Sequence, residues 1–296
     1  MGAVLAILSS QAFNPIEVGE QKDDQEKKTI LRKSENKANL PPLSLLPQEV
    51  AIKILSNLTA TELCLAGCVI SPWSDMTEDD ILWFNLVKSE WKYAKYVQDR
   101  ILEQSWQSFK KLYLIMDEAQ LIFSVNPLKG IEYLQDHRIL SEDASDIALY
   151  LHTTEKLRKE ELCNYLLQHR PDVLEDYVKL EDYSNQSVLP NVLRNFLTKF
   201  PAKQCNLDKE QLGLLLIKFS LRYSECNPQA GLSQDIVYNI CCSLMLLGYD
   251  FTHPLIKNKM SKREFIRNTR EVTPGVSNDY LGHMYDNIYL IGPVVR

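Results

Sequence analysis

From Pro41 almost to the C-terminus, apolar residues recur every three or four positions, and no other feature constrains the chain more tightly. That spacing lines one stripe of a helix, whereas a half-buried strand would alternate with a period of two. Only ten glycines occur in 296 residues, which leaves little turn chemistry for β-hairpins. The pattern predicts an all-α protein. Hydrophobic residues make up 45% of the chain, enough for a packed core. No apolar run approaches the ~20 residues needed to cross a bilayer, so a membrane-spanning segment is not expected. With 33 Lys and Arg against 39 Asp and Glu, the formal charge is −6, which argues against a nucleic-acid partner.

Before Pro41 the texture differs. Residues 20–37 read EQKDDQEKKTILRKSENK, a mixed-charge run that cannot bury enough surface to offset ordering entropy, so residues 1–40 read as a charged, disordered tail. The seven cysteines are odd in number, and no basic residues precede the N-terminal apolar stretch, which predicts a reduced, cytoplasmic chain without disulfides. Cys64 and Cys68 are four apart, but no second Cys or His pair follows at zinc-site spacing, and no metal or other cofactor is expected. Gly2 lacks the Ser or Thr that an acylation signal places at position 6, where this chain has Ala6.

A first unit spans residues 41–92. Pro47 suits the first turn of a helix, and Val50, Ile54 and Leu58 follow on one face. Thr59 with Glu62 has capping-box spacing ahead of Leu63, Ala66 and Ile70, and Thr77 with Asp80 has the same spacing ahead of Leu82, Trp83 and Leu86. Pro72 is expected to shorten or kink the helix it falls in. So small a bundle cannot enclose all these apolar groups, so some of them must face a partner. After a helical linker over residues 93–116, residues 117–296 show helix after helix. One of these, Ile236 to Leu247, has no obvious polar face and is expected to run through the middle of its domain. The basic residues Lys257, Lys259, Lys262, Arg263, Arg267 and Arg270 read first as a solvated face, with contact to anionic lipid or an acidic partner as the alternative.

Four ordered blocks carry a family resemblance in the first unit: LPQEVAIKILSNL at Leu46 to Leu58, TELCLAGCV at Thr61 to Val69, Trp73, and DDILW at Asp79 to Trp83. Together they resemble an F-box, a short three-helix module that docks onto the Skp adaptor of a cullin ubiquitin ligase. The resemblance implies adaptor contacts through Leu46, Pro47, Val50, Ile54, Leu58, Leu63 and Trp83.

The second unit resembles a Sec7 domain over roughly Phe123 to Ile291. The carriers are FSVNPLKGIEYL at Phe123 to Leu134, VLRNFLTKF at Val192 to Phe200, FSLRYSECNP at Phe219 to Pro228 and HPLIKNKMSKREFIRNTR at His253 to Arg270. Sec7 domains are multi-helix superhelical modules that exchange nucleotide on ARF GTPases by pushing a glutamate at the bound Mg²⁺ and β-phosphate. In the family that residue precedes the phenylalanine matched by Phe219 by eleven positions, which implies Asp208 here, with Glu210 as an alternative carboxylate. Aspartate is about 1.5 Å shorter, and a misplacement of that order can cost ~100-fold in rate. The family's GTPase-facing strip corresponds to LGYDFTHP, Leu247 to Pro254, and implies ARF contacts through Met245, Leu246, Gly248, Asp250, Phe251 and His253.

Two functions follow from these resemblances. The first is a substrate-recognition subunit of a Skp-cullin-F-box ligase that captures an ARF-family GTPase, reaches membranes transiently through it, and has no catalysis of its own. The alternative is an active ARF guanine-nucleotide exchange factor.

Overall fold

The computed structural model describes residues 46–69, 71–93, 108–184, 188–201, 205 and 207–295. The charged tail expected over residues 1–40 and most of the expected linker lie outside these residues. The described residues are helical, with no strand among them. The chain divides into two units, one ending at Ile54 and one beginning at Leu55.

The described part of the first unit opens on Pro47, whose carbonyl accepts the amides of Val50 and Ala51 at 3.0 and 3.1 Å. Proline in this place starts α1, Gln48–Leu55, at no cost in helix hydrogen bonds.

The second unit continues with α2, Ala60–Val69, α3, Ser71–Thr77, and α4, Asp80–Glu90. The capping box expected at α2 is present: the Thr59 amide donates to the Glu62 carboxylate at 2.8 Å, and the Glu62 amide donates to the Thr59 hydroxyl at 3.3 Å. Pro72 falls in the first turn of α3, where a proline is accommodated, and Ile70, between α2 and α3, lies outside the described residues. The cap expected from Thr77 is not formed. Thr77 is buried at the end of α3, and Asp79 caps α4 instead by accepting the Ile81 amide at 2.9 Å.

Next come α5, Phe109–Phe123, and α6, Pro127–Asp136, capped by Ser108 and Asn126. They pack so closely that a Cβ built on Gly130 would lie 2.7 Å from the Cα of Phe123, a spacing that only glycine permits. α4 packs on α5 through Phe84 against Phe109, with ring centroids 5.0 Å apart, and through Trp91 against Tyr113 at 4.6 Å. Asp80 also accepts the Phe109 amide at 3.1 Å. The end of the first sequence block is thus built into the start of the second.

Six helices follow: α7, Ala144–Thr153; α8, Lys159–Asn164, which runs on as a π-turn over Tyr165–His169; α9, Pro171–Lys179; α10, Leu189–Lys199; α11, Lys209–Cys226; and α12, Gln234–Thr252. Their core is aromatic, with Phe196 in ring contact with both Phe200 and Phe219, and Phe219 with Tyr183 and Tyr223. Between α7 and α10, the Glu181 carboxylate meets His152 at 3.1 Å and the Lys199 ammonium. Desolvation opposes ionisation of Glu181, but hydrogen bonds from His152 and Lys199 outweigh it and hold its pKa below the usual value.

The last helices are α13, Lys262–Val272, and α14, Asn278–Ile291. Beyond α14 the chain forms a short strap pinned by Arg194 of α10. Its guanidinium donates to the carbonyls of Gly292 and Pro293 and to the Asn287 side chain. Among the described residues no helix is long and apolar enough to cross a membrane.

The expectation that Ile236 to Leu247 is buried on all sides is corrected. Val237, Ile240, Cys241, Leu244 and Leu247 are buried, but Leu246 is 65% exposed and Tyr249 57%. α12 therefore lies at the face of its unit and leaves apolar side chains in the open.

Candidate functional site

On α1, Val50 and Ile54 stand one helical turn apart and are 45% and 46% exposed, while Ala51 and Leu55 are buried. Pro47 is exposed, and Leu46 and Leu58 are partly so. Two residues expected at the same face are corrected. Leu63 is 1% exposed and Trp83 is wholly buried. The Trp83 indole N–H donates to the Thr77 carbonyl at 2.7 Å, its ring meets Tyr113 edge-on at 5.4 Å, and Lys110 lies over it at 5.4 Å. Trp83 is the core of the α4–α5 junction. Tyr113 is held by the Glu90 carboxylate at 3.0 Å, and burial together with that carboxylate pushes its hydroxyl pKa up. The exposed apolar positions that sequence reasoning missed are Leu65 on α2, 54% exposed, and Ile81 on α4, 58% exposed. Ile81 sits beside Trp83 in the same motif, and only burial separates their roles.

At the expected exchange position, Asp208 is the N-cap of α11. Its carboxylate accepts the Gln211 amide at 2.7 Å, and Gln211 returns a side-chain contact to the Asp208 amide at 3.1 Å. The side chain is exposed, but it is directed to its own helix end. Glu210 lies in the first turn of α11, exposed.

The residues expected to face a GTPase divide in two. Met245 is partly exposed and Leu246 largely so. The remainder build the end of α12. Gly248 is buried against the C-terminal strap, where a Cβ would come within 2.9 Å of Pro293, so its expected exposure to a partner is corrected. The Asp250 carboxylate accepts the Met260 amide at 2.8 Å, and Lys259 binds the carbonyls of Asp250 and His253, which folds residues 253–261 back on the helix. Phe251 meets Tyr285 and Tyr289 edge-on, and the His253 ring lies 4.8 Å from that of Tyr249. Tyr249, and on the neighbouring α11 Ile217 and Leu221, are exposed apolar groups that the motif comparison passed over.

Residues 113–290 match the Sec7 domain family model, and residues 43–89 match the F-box-like model. F-box only protein 8 of Mus musculus is 44% identical over 267 residues, which span 89% of this chain and 81% of the relative. The chain belongs to the F-box proteins that carry a Sec7 domain. Among solved structures, the Sec7p catalytic domain is similar at 27% identity and a TM-score of 0.51, covering 58% of this F-box/Sec7 chain and 93% of that one. A Sec7 domain solved with ARF1-GDP and brefeldin A aligns over 62% of this chain and 93% of its own with a TM-score of 0.53; at 23% identity that likeness speaks for the fold. The Sec7 match begins at Tyr113, the residue that packs on Trp83 at the end of the F-box match.

Proposed function

We propose that this F-box/Sec7 protein is the substrate-recognition subunit of a Skp-cullin-F-box ubiquitin ligase, and that its Sec7 domain captures an ARF-family GTPase. The observation that carries the reading is the pairing of the two modules in one chain 44% identical to F-box only protein 8. The exposed Val50 and Ile54 of α1 supply apolar surface for an adaptor, and the second unit, taken by itself, also exposes Leu65 and Ile81. Met245, Leu246 and Tyr249 of α12 supply apolar surface for a GTPase, in line with the ARF1-GDP bound to the solved Sec7 relative. In this reading the chain forms and breaks no bonds. It holds the captured GTPase for the ligase's transfer machinery.

Adaptor retention tests the first half. Charges placed in an apolar interface are desolvated without partners, so Val50→Glu with Ile54→Glu lowers co-purification of the Skp adaptor by ~100-fold or more. Wild-type chain that retains no adaptor, or a double variant that retains it fully, overturns the assignment.

Exchange activity is the weaker reading, because the Asp208 carboxylate is occupied as a helix cap. Asp208→Ala costs about 1 kcal/mol of stability through the lost cap and leaves the rate of nucleotide release from an ARF at its uncatalysed value. An ARF whose nucleotide release is accelerated by wild-type chain and not by the Asp208 variant would restore the exchange-factor reading.

A further inference from the structure

We infer that α13 carries a site for the phosphate headgroups of an anionic lipid surface. Arg263, Arg267 and Arg270 are spaced at i, i+4 and i+7, so they fall on one side of the helix, opposite the buried Phe265 and Thr269. With Ile266, Glu271 and Asn278 they line an open cavity of about 610 Å³.

What sets this face apart is an excess of positive charge: hydrogen bonds from Ser261 and, through space, Arg267 lower the pKa of Glu264, but three guanidinium groups stand close together on it. Among the described residues no carboxylate closes an ion pair with any of the three arginines, and Arg270 has only a 3.4 Å contact with the Asn278 side chain. By contrast, Arg170 pairs with Asp172, Arg222 with Glu225 and, at the start of α13 itself, Lys262 with Asp286. Glu264, on the same helix, is taken up in the capping box with Ser261. Glu271 is the one carboxylate in the cavity wall, against three guanidinium groups. Guanidinium forks match phosphate oxygens two at a time, and a cavity between them admits a headgroup.

The occupant follows from charge and extent. With a net charge of −6, attraction to an anionic surface is confined to the local basic face. This face offers three cations, so a nucleic acid would find no more than about three phosphate contacts on it. A membrane surface supplies many phosphates in a plane, and attracts basic groups that come within a Debye length of about 10 Å. Just before α13, Lys257 is exposed and Leu255 is 82% exposed, a cation and an apolar side chain that an interface can accept together.

The test is co-sedimentation of the full chain with vesicles of phosphatidylcholine alone or with added phosphatidylserine or a phosphoinositide. Binding is expected only with the anionic lipids, falling as salt rises. The triple variant Arg263→Gln, Arg267→Gln, Arg270→Gln is expected to lower partitioning by about 100-fold. A control triple, Lys111→Gln, Lys129→Gln, Lys209→Gln, removes the same charge elsewhere and is expected to bind as wild type. All six positions are exposed, so both proteins are expected to keep the wild-type melting temperature. Equal loss in both triples would reduce the effect to net charge and overturn the site. Binding to inorganic phosphate or a soluble inositol phosphate with none to vesicles would also overturn it, as would indifference to every anionic lipid.

Discussion

Trp83→Ala is expected to destabilise the second unit by about 3–5 kcal/mol, the usual cost of removing a fully buried large aromatic side chain. The ring is wholly enclosed, sits edge-on to Tyr113 and lies under Lys110, so its removal opens the junction between α4 and α5. For a domain of this size each kcal/mol moves the melting temperature by roughly 2–4 °C, so thermal unfolding followed by circular dichroism should show a fall of roughly 10 °C. Trp83→Phe keeps most of the volume but leaves the Thr77 carbonyl without its 2.7 Å donor, and is expected to cost about 1–3 kcal/mol. The contrast is Ile81→Ala, two positions earlier and 58% exposed, which should barely change the melting temperature while weakening adaptor retention. If Trp83→Ala melts like wild type but loses the adaptor, Trp83 is a contact residue after all and the junction is misread.

Arg194→Ala should release the C-terminal strap. One guanidinium serves the carbonyls of Gly292 and Pro293 and the side chains of Asn191 and Asn287, so truncation strands several acceptors at once. Each lost hydrogen bond to a charged donor is worth about 1.5–3 kcal/mol, but the strap can open locally and rehydrate, so a local cost of about 3 kcal/mol is expected. Limited proteolysis with mass spectrometry reads this directly, as cleavage after Ile291 appearing well before global unfolding. Arg194→Lys should not restore protection, since a point-like ammonium cannot span the same acceptors. Wild-type protection of residues 292–295 in Arg194→Ala would show that Gly248 and the buried Val294 hold the strap without help.

Some of these relations were legible in the sequence and some were not. The capping box of Thr59 and Glu62 was readable because both partners lie within one turn, and a three-residue spacing is all the geometry requires. The cap at Thr77 was misread because Asp79, two residues on, competes for the same helix end, and the burial of Thr77 is set by packing against other segments. Gly248 shows the same limit at the candidate GTPase surface. Its place in a motif implied contact with a partner, but its missing Cβ makes room for Pro293, a residue forty-five positions away.

Helix content, the order of the two modules and the Thr59–Glu62 capping box came from the sequence alone, because they depend on periodicity and on groups a few residues apart. Tertiary structure decided which apolar residues are core and which are surface: Trp83 from Ile81, Leu63 from Leu65, Leu247 from Leu246. Within each pair both members are apolar and adjacent or nearly so in the chain. Their exposure is set by helices that approach from distant positions, a contribution that local spacing does not carry.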